Sequence, residues 1–319
     1  MPATKIADTS AAVSETRIAD LLVGAVDLHC HSGPSVMPRR LDHIDAAEEA
    51  SEAGMSAILF KDHYYSVTPI VALMKDRFKN LDVELLSGVP LNNTSGGLNP
   101  YAVDHGLKLG AKFVWMPTFS AANHIRHGHR HTVLPTKMTL LEPTALTVVD
   151  DRGRLKDEVK PILDQIAEFD AVLSAGHLHI SEIWPLFEEA EKRGVRRRIV
   201  QHPTFLIGCS TRDIAELASS GAFIEHSICQ FVEESSFYKF SSELLQSVIA
   251  AATVDQTILG SDLGQSVNPT PVEGFKGVIR LLLGLGYADD EIRKLIGGNA
   301  KRLVGLDQAD GSMQAETGQ

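Results

Sequence analysis

Eight apolar runs, each long enough for one strand and most without polar alternation, recur along the chain at Ala25–His31, Ser56–His63, Val83–Asn92, Ala111–Thr118, Ala171–Leu178, Arg198–Phe205, Phe223–Ile228 and Thr257–Gln265. An unbroken apolar run is what a parallel sheet covered on both faces requires, because neither side of such a strand meets water. Successive starts fall roughly 25–35 residues apart, the length of a strand, a loop, a helix and a return, and one interval is about twice as long. The segments between carry amphipathic helical patterns: Val159, Ile162, Leu163 and Ile166 share one face, as do Ile183, Leu186, Phe187 and Ala190. These repeats predict an α/β chain folded as a single (β/α)8 TIM barrel over residues 18–306, with flexible tails at 1–17 and 307–319.

The long interval follows the fourth strand and holds an insertion at 119–156. Within it, Ala145-Leu-Thr-Val-Val and the turn residues Asp150-Asp-Arg-Gly153 read as a β-hairpin. An insertion after a barrel strand sits on the C-terminal face, where barrels build their sites, so it is expected to cover the substrate.

The first strand ends Val26-Asp-Leu-His-Cys-His31. Residues two apart on a strand point to one side, so His29 and His31 can present two imidazoles to one cation. An isolated pair of strand-end histidines would serve equally for ordinary hydrogen bonds. Three further groups change the balance: His177 after the fifth strand, His202 after the sixth, and Asp262 after the eighth, in Gly260-Ser-Asp-Leu. Barrel closure would bring these ligand types from four strands to one rim. His63, Asn92, Asn93, Thr118, Arg126 and His226 stand at strand ends or in the loops beyond them and are the candidate substrate contacts. The insertion also gathers His124, Arg126, His127, His129, Arg130 and His131, a cluster that could grip an anion, bind metal or simply be solvated.

In these motifs the chain resembles the amidohydrolase superfamily of metal-dependent barrels, and Ile296-Gly-Gly-Asn-Ala-Lys-Arg-Leu-Val-Gly-Leu306 resembles the helix after their last strand. The resemblance implies a hydrolase that cleaves an amide, cyclic amide, lactone or ester in a small polar substrate. By it, His29 and His31 bind one metal, His177 and His202 a second, and Asp262 ligates and moves protons. The usual bridging lysine or glutamate on the fourth strand is missing from Val114-Trp-Met-Pro-Thr118. Lys61 is the substitute, as a carbamylated ligand or as a cation that pairs with Asp62 or an anionic substrate. One or two divalent ions follow, zinc first, with manganese, iron or nickel also compatible. Asp27-Leu-His-Cys-His-Ser32 and Lys61-Asp-His63 also resemble the polymerase-and-histidinol-phosphatase family of metal phosphoesterases, in which His63 would be a ligand. Single-metal decarboxylase or lyase chemistry is the third alternative.

A net charge of -11 argues against a nucleic-acid partner, whose phosphates demand a basic footprint. The longest apolar runs, such as Val278–Leu285, are far short of the roughly 20 residues of a membrane helix. Three scattered cysteines and a first segment with no basic-then-apolar pattern predict a cytoplasmic protein, and the base rate for soluble enzymes predicts a homo-oligomer.

Overall fold

The computed structural model describes residues 14–128 and 136–307. Its strands are β1 (Val26–Cys30), β2 (Ala57–Phe60), β3 (Glu84–Leu86), β4 (Gly88–Pro90), β5 (Phe113–Trp115), β6 (Val172–Ser174), β7 (Arg197–Gln201), β8 (Phe223–Ser227) and β9 (Thr257–Gly260). Every pairing is parallel, in the order β1-β2-β3 and β4 through β9. The third predicted run supplies both β3 and β4, which Ser87 joins. Its carbonyl accepts from Lys112 N at 2.8 Å and Phe113 N at 3.2 Å, so pairing passes from one half to the other.

The ring closes just beyond β9. Asp262 N donates to His29 O at 2.9 Å, and His31 N donates to Leu263 O at 2.8 Å. Gly264 makes this seam possible: at φ +124 it adopts a backbone that side chains disfavour, and a Cβ there would meet His31 O at 1.8 Å. The expected eight-stranded barrel is therefore the fold observed.

Alternation along each strand sorts the core into two shells. Val26, Leu28, Ala57, Leu59, Phe113, Trp115, Ile199 and Ile258 pack together inside the barrel, and Ala300, Leu303 and Val304 of the helix Asn299–Val304 join them to close one end. The interior is a filled core rather than a pore. The opposite faces, among them Ile58, Phe60, Val114, Val200, Ile224 and Leu259, pack against the surrounding helices. There the predicted helical stripes are buried, Ile162, Leu163 and Ile166 in Lys160–Glu168 and Ile183, Leu186, Phe187 and Ala190 in Ile180–Lys192.

A helix begins within the expected N-terminal tail. Ser14 caps a helix over Glu15–Leu22, in which Glu15 pairs with Arg280 and Arg17 with Asp289. Residues 1–13 and 308–319 lie outside the described residues, as do His129, Arg130 and His131. The predicted hairpin forms at its base, with Val149 and Leu155 bridged antiparallel and Asp150 N donating to Arg154 O at 2.8 Å. Among the described residues no helix is long and apolar enough to cross a membrane.

Candidate active site

Strand β1 carries the first two histidines through a break in its register with β2 between Asp27 and Cys30. Val26 and Leu28 face the core by simple alternation, which would turn His29 outward, but the irregularity leaves both His29 and His31 facing the open end. Asp27 pins the irregularity. Its Oδ1 accepts from His29 N and Ser261 N, both at 2.9 Å, and its Oδ2 accepts from Ser261 Oγ.

Asp262 Oδ1 lies 3.4 Å from His29 Nε2 and 3.2 Å from His31 Nε2, and its Oδ2 lies 3.7 Å from His202 Nδ1. One ligand atom each of His29, His31 and Asp262 fall within 4.8 Å of one another. The rings of His29 and His202 are 5.1 Å apart and those of His202 and His177 5.0 Å. The structure thus brings His29, His31, His177, His202 and Asp262 to one place, with the sixth predicted ligand, Lys61, placing Nζ 3.0 Å from His29 Nε2. Asp262 and His202 both occupy left-handed backbone, at φ 51 and φ 55, the kind of local strain that clusters at functional sites.

Tautomers test whether these residues suit a metal. His31 Nδ1 lies 2.9 Å from Lys61 O, a carbonyl that can only accept, so Nδ1 carries the proton and Nε2 presents its lone pair. That lone pair faces the Asp262 carboxylate at 3.2 Å, an acceptor opposite an acceptor. A cation between them resolves the repulsion, and the donor set fits a divalent ion. Buried His177 Nε2 has no hydrogen-bond partner and is a further available donor atom. Burial is the main cause that keeps the imidazoles neutral, down to about 3 for His29 and His202 and about 4 for His31, the form in which histidine ligates metal.

Behind the ligands stands Glu225, whose Oε1 lies 2.5 Å from His29 Nδ1 and accepts from Gln201 Nε2 at 3.0 Å. A His29 that donates from Nδ1 to Glu225 leaves Nε2 directed at the centre, the orienting role of a carboxylate behind a metal-bound histidine. Gly260 makes room for this pair: a Cβ there would approach Glu225 Cδ at 2.9 Å and His29 Cβ at 3.1 Å.

Above the histidines opens a cavity of about 280 Å³. His31, His63, His177, His202 and Asp262 form its floor, and Phe119, Phe205, Phe237 and Tyr238 its aromatic walls. A substrate body there meets apolar surface more than the polar surroundings the sequence suggested.

The sequence matches the family described as "Family of unknown function (DUF6282)" over residues 24–225. This chain belongs to DUF6282. No curated protein matches it. Among solved structures, this DUF6282 protein is similar to an amidohydrolase from Pseudomonas aeruginosa, at 14% identity and TM-score 0.58 over 91% of this chain and 97% of that one. It is also similar to the probable dipeptidase PvdM from the same organism, at 11% identity and TM-score 0.63 over 93% and 100%. A third is the 2,6-dihydroxybenzoate decarboxylase from Rhizobium, at 13% identity and TM-score 0.53 over 89% and 99%. At these identities the likeness shows the fold alone, a (β/α)8 barrel.

Several candidate substrate contacts of the DUF6282 chain sit elsewhere than expected. His226 points outward, because alternation along β8 turns Glu225 to the centre; it is buried and neither ring nitrogen has a hydrogen-bond partner. Arg126 is exposed on the short helix Ala122–His127 and does not line the cavity. Asn92 and Thr118 are buried behind His63: Thr118 Oγ1 lies 2.9 Å from His63 Nδ1, and Asn92 Nδ2 donates to Thr118 Oγ1 and His63 O. They position that ring, which stacks on Phe119 at 3.6 Å. Asn93 also stays out of the cavity lining; its backbone N–H donates to Ser120 Oγ. The insertion contributes Phe119 and His124 to the cavity, but its hairpin packs on Glu182 instead, which accepts from Val148 N.

Sequence reading passed over the segment Ser236–Lys239 beyond β8, which forms one wall, and Arg39 and Cys229, which also line the cavity. No spacing or periodicity marks these positions. Only the fold of the loops brings them to the rim.

Proposed function

We propose that this DUF6282 protein is a metal-dependent hydrolase, with a divalent ion, zinc first, held by His29, His31 and Asp262 and with His177 and His202 as further ligands. The observation that carries the reading is the lone pair of His31 facing the carboxylate of Asp262. A bound divalent ion supplies a water of near-neutral pKa and polarises the scissile carbonyl. Asp262, with its carboxylate ionised at the cavity floor, takes a proton from the attacking water and returns it to the leaving group. Glu225 and Gln201 hold the His29 ring. His63, His177 and His202 fence the reacting group, and Phe119 and Phe205 exclude bulk water from one side.

Lys61 fits this scheme best as a carbamate. Its Nζ stands 3.0 Å from His29 Nε2, where an ammonium would compete with an ion for one lone pair. A carbamate on Nζ would instead add an oxygen ligand. Against two ions stands the three-residue group itself, the only such group among the described residues, which favours one metal and keeps the decarboxylase reading as the alternative.

Elemental analysis of purified protein, with His29→Ala and His177→Ala beside it, tests the reading. Bound transition metal in the parent and its loss in His29→Ala are expected. Metal content unchanged in both variants would refute the site.

A further inference from the structure

Among the described residues Arg39 is the one guanidinium that lines the cavity, and its bonding is incomplete. Its side chain is 4% exposed, yet Nε has no hydrogen-bond partner. Both of its polar contacts go to Nη2: Asp62 Oδ2 at 3.5 Å, long for a charged pair, and Met37 Sδ at 3.8 Å. Guanidinium offers five N–H donors in a planar fork, and a buried cation so poorly matched is costly unless a ligand completes it. The loop that carries it is pinned, with Gly33 bridged to Asp42 and Arg39 to Gln265, so the fork is held in place before any ligand arrives. Lys239 adds a second cation to the lining, with Nζ 4.3 Å from the Phe205 ring centroid.

We propose that Arg39 is the anion-recognition residue of the cavity and that the substrate is a small aromatic or otherwise apolar monocarboxylate, an assignment that rests on the hydrolase reading only for what happens after binding. The aromatic walls take the apolar body, and the fork takes the carboxylate in the bidentate manner that planar oxyanions favour. The two cations Arg39 and Lys239 stand against the two carboxylates Asp62 and Asp262, so the site suits one added negative charge better than two.

Titration calorimetry with benzoate and benzamide, alike in shape and unlike in charge, reads this directly. Benzoate is expected to bind the metal-loaded parent about tenfold or more tightly than benzamide. Arg39→Gln should remove that preference and leave benzamide binding within about twofold, and Arg39→Lys should restore only part of it. Should Arg39→Gln fail to fold, the chelator-treated parent decides: a carboxylate held by Arg39 keeps its advantage without metal, and one held by the ion loses it. Equal binding of the two probes, a preference that survives Arg39→Gln or one that vanishes with the metal would overturn the assignment. Tighter binding of phenylphosphonate than of benzoate would overturn the single-charge choice. Retained benzoate preference in a protein that binds no metal would sink the hydrolase reading and leave the anion site standing.

Discussion

Asp262 meets His29 twice: its backbone N–H donates to the His29 carbonyl at 2.9 Å, and its carboxylate lies 3.4 Å from His29 Nε2. One pair of residues both closes the barrel and forms the centre. The seam between the first and last strands is where the chemistry is placed, and strain there is stabilised by the hydrogen bonds on either side.

Asp262→Asn therefore separates the two roles. Asparagine tolerates left-handed backbone and keeps the N–H, so the variant should fold with nearly parental thermal stability in chelator. Its metal affinity should drop at least about tenfold, since a neutral amide replaces the anionic ligand. Parental metal content in the variant would show that Asp262 is not a ligand.

Glu225→Gln should weaken metal binding about 10–100-fold without unfolding the protein, because an amide replaces the carboxyl group whose Oε1 meets His29 Nδ1 and orients that ring. Metal titrations monitored by fluorescence of a competing chelator check this. An affinity equal to the parent's would reduce Glu225 to packing.

His226→Leu should behave oppositely. Two buried ring nitrogens without partners cost about 1–3 kcal/mol, so an apolar replacement is expected to leave metal content unchanged and stability equal or higher at neutral pH. Burial holds the folded-state pKa of His226 down to about 3, against about 6.5 when unfolded. Between these values the unfolded chain takes up a proton that the folded one refuses. The parent thus loses stability at this site as pH falls from 6.5 toward 3 and keeps it above 6.5, with a slope approaching about 1.4 kcal/mol per pH unit. Denaturant melts at pH 7 and pH 5 should show the variant gaining on the parent at the lower pH. A constant difference would contradict the assignment.

If Lys61 is carbamylated, protein exchanged into ¹³C-bicarbonate should show a carbamate carbon resonance that Lys61→Gln lacks, and metal occupancy should rise with bicarbonate in the parent alone. No resonance at saturating bicarbonate would leave Lys61 a cation.

Much of this was legible in the chain. The apolar runs and their spacing determine the barrel, because a strand buried on both faces cannot alternate, and the barrel alone explains why His29, His31, His177, His202 and Asp262 converge. Lys61 and His63 follow from Leu59 by simple alternation. Other assignments needed the folded backbone. The choice between Glu225 and His226 depends on which face of β8 turns inward, and adjacent residues give no local signal for that. The inward turn of His29 depends on an irregularity that Asp27 and Ser261 hold from opposite ends of the chain. Arg39 and the wall at Ser236–Lys239 lie on loops, whose course is decided by what they pack against and not by any periodicity of their own. Sequence by itself determined the scaffold and the ligand types, since both rest on repeating local patterns. Tertiary structure alone decided which neighbours orient them and what kind of molecule the cavity would admit, because those contacts join residues remote along the chain.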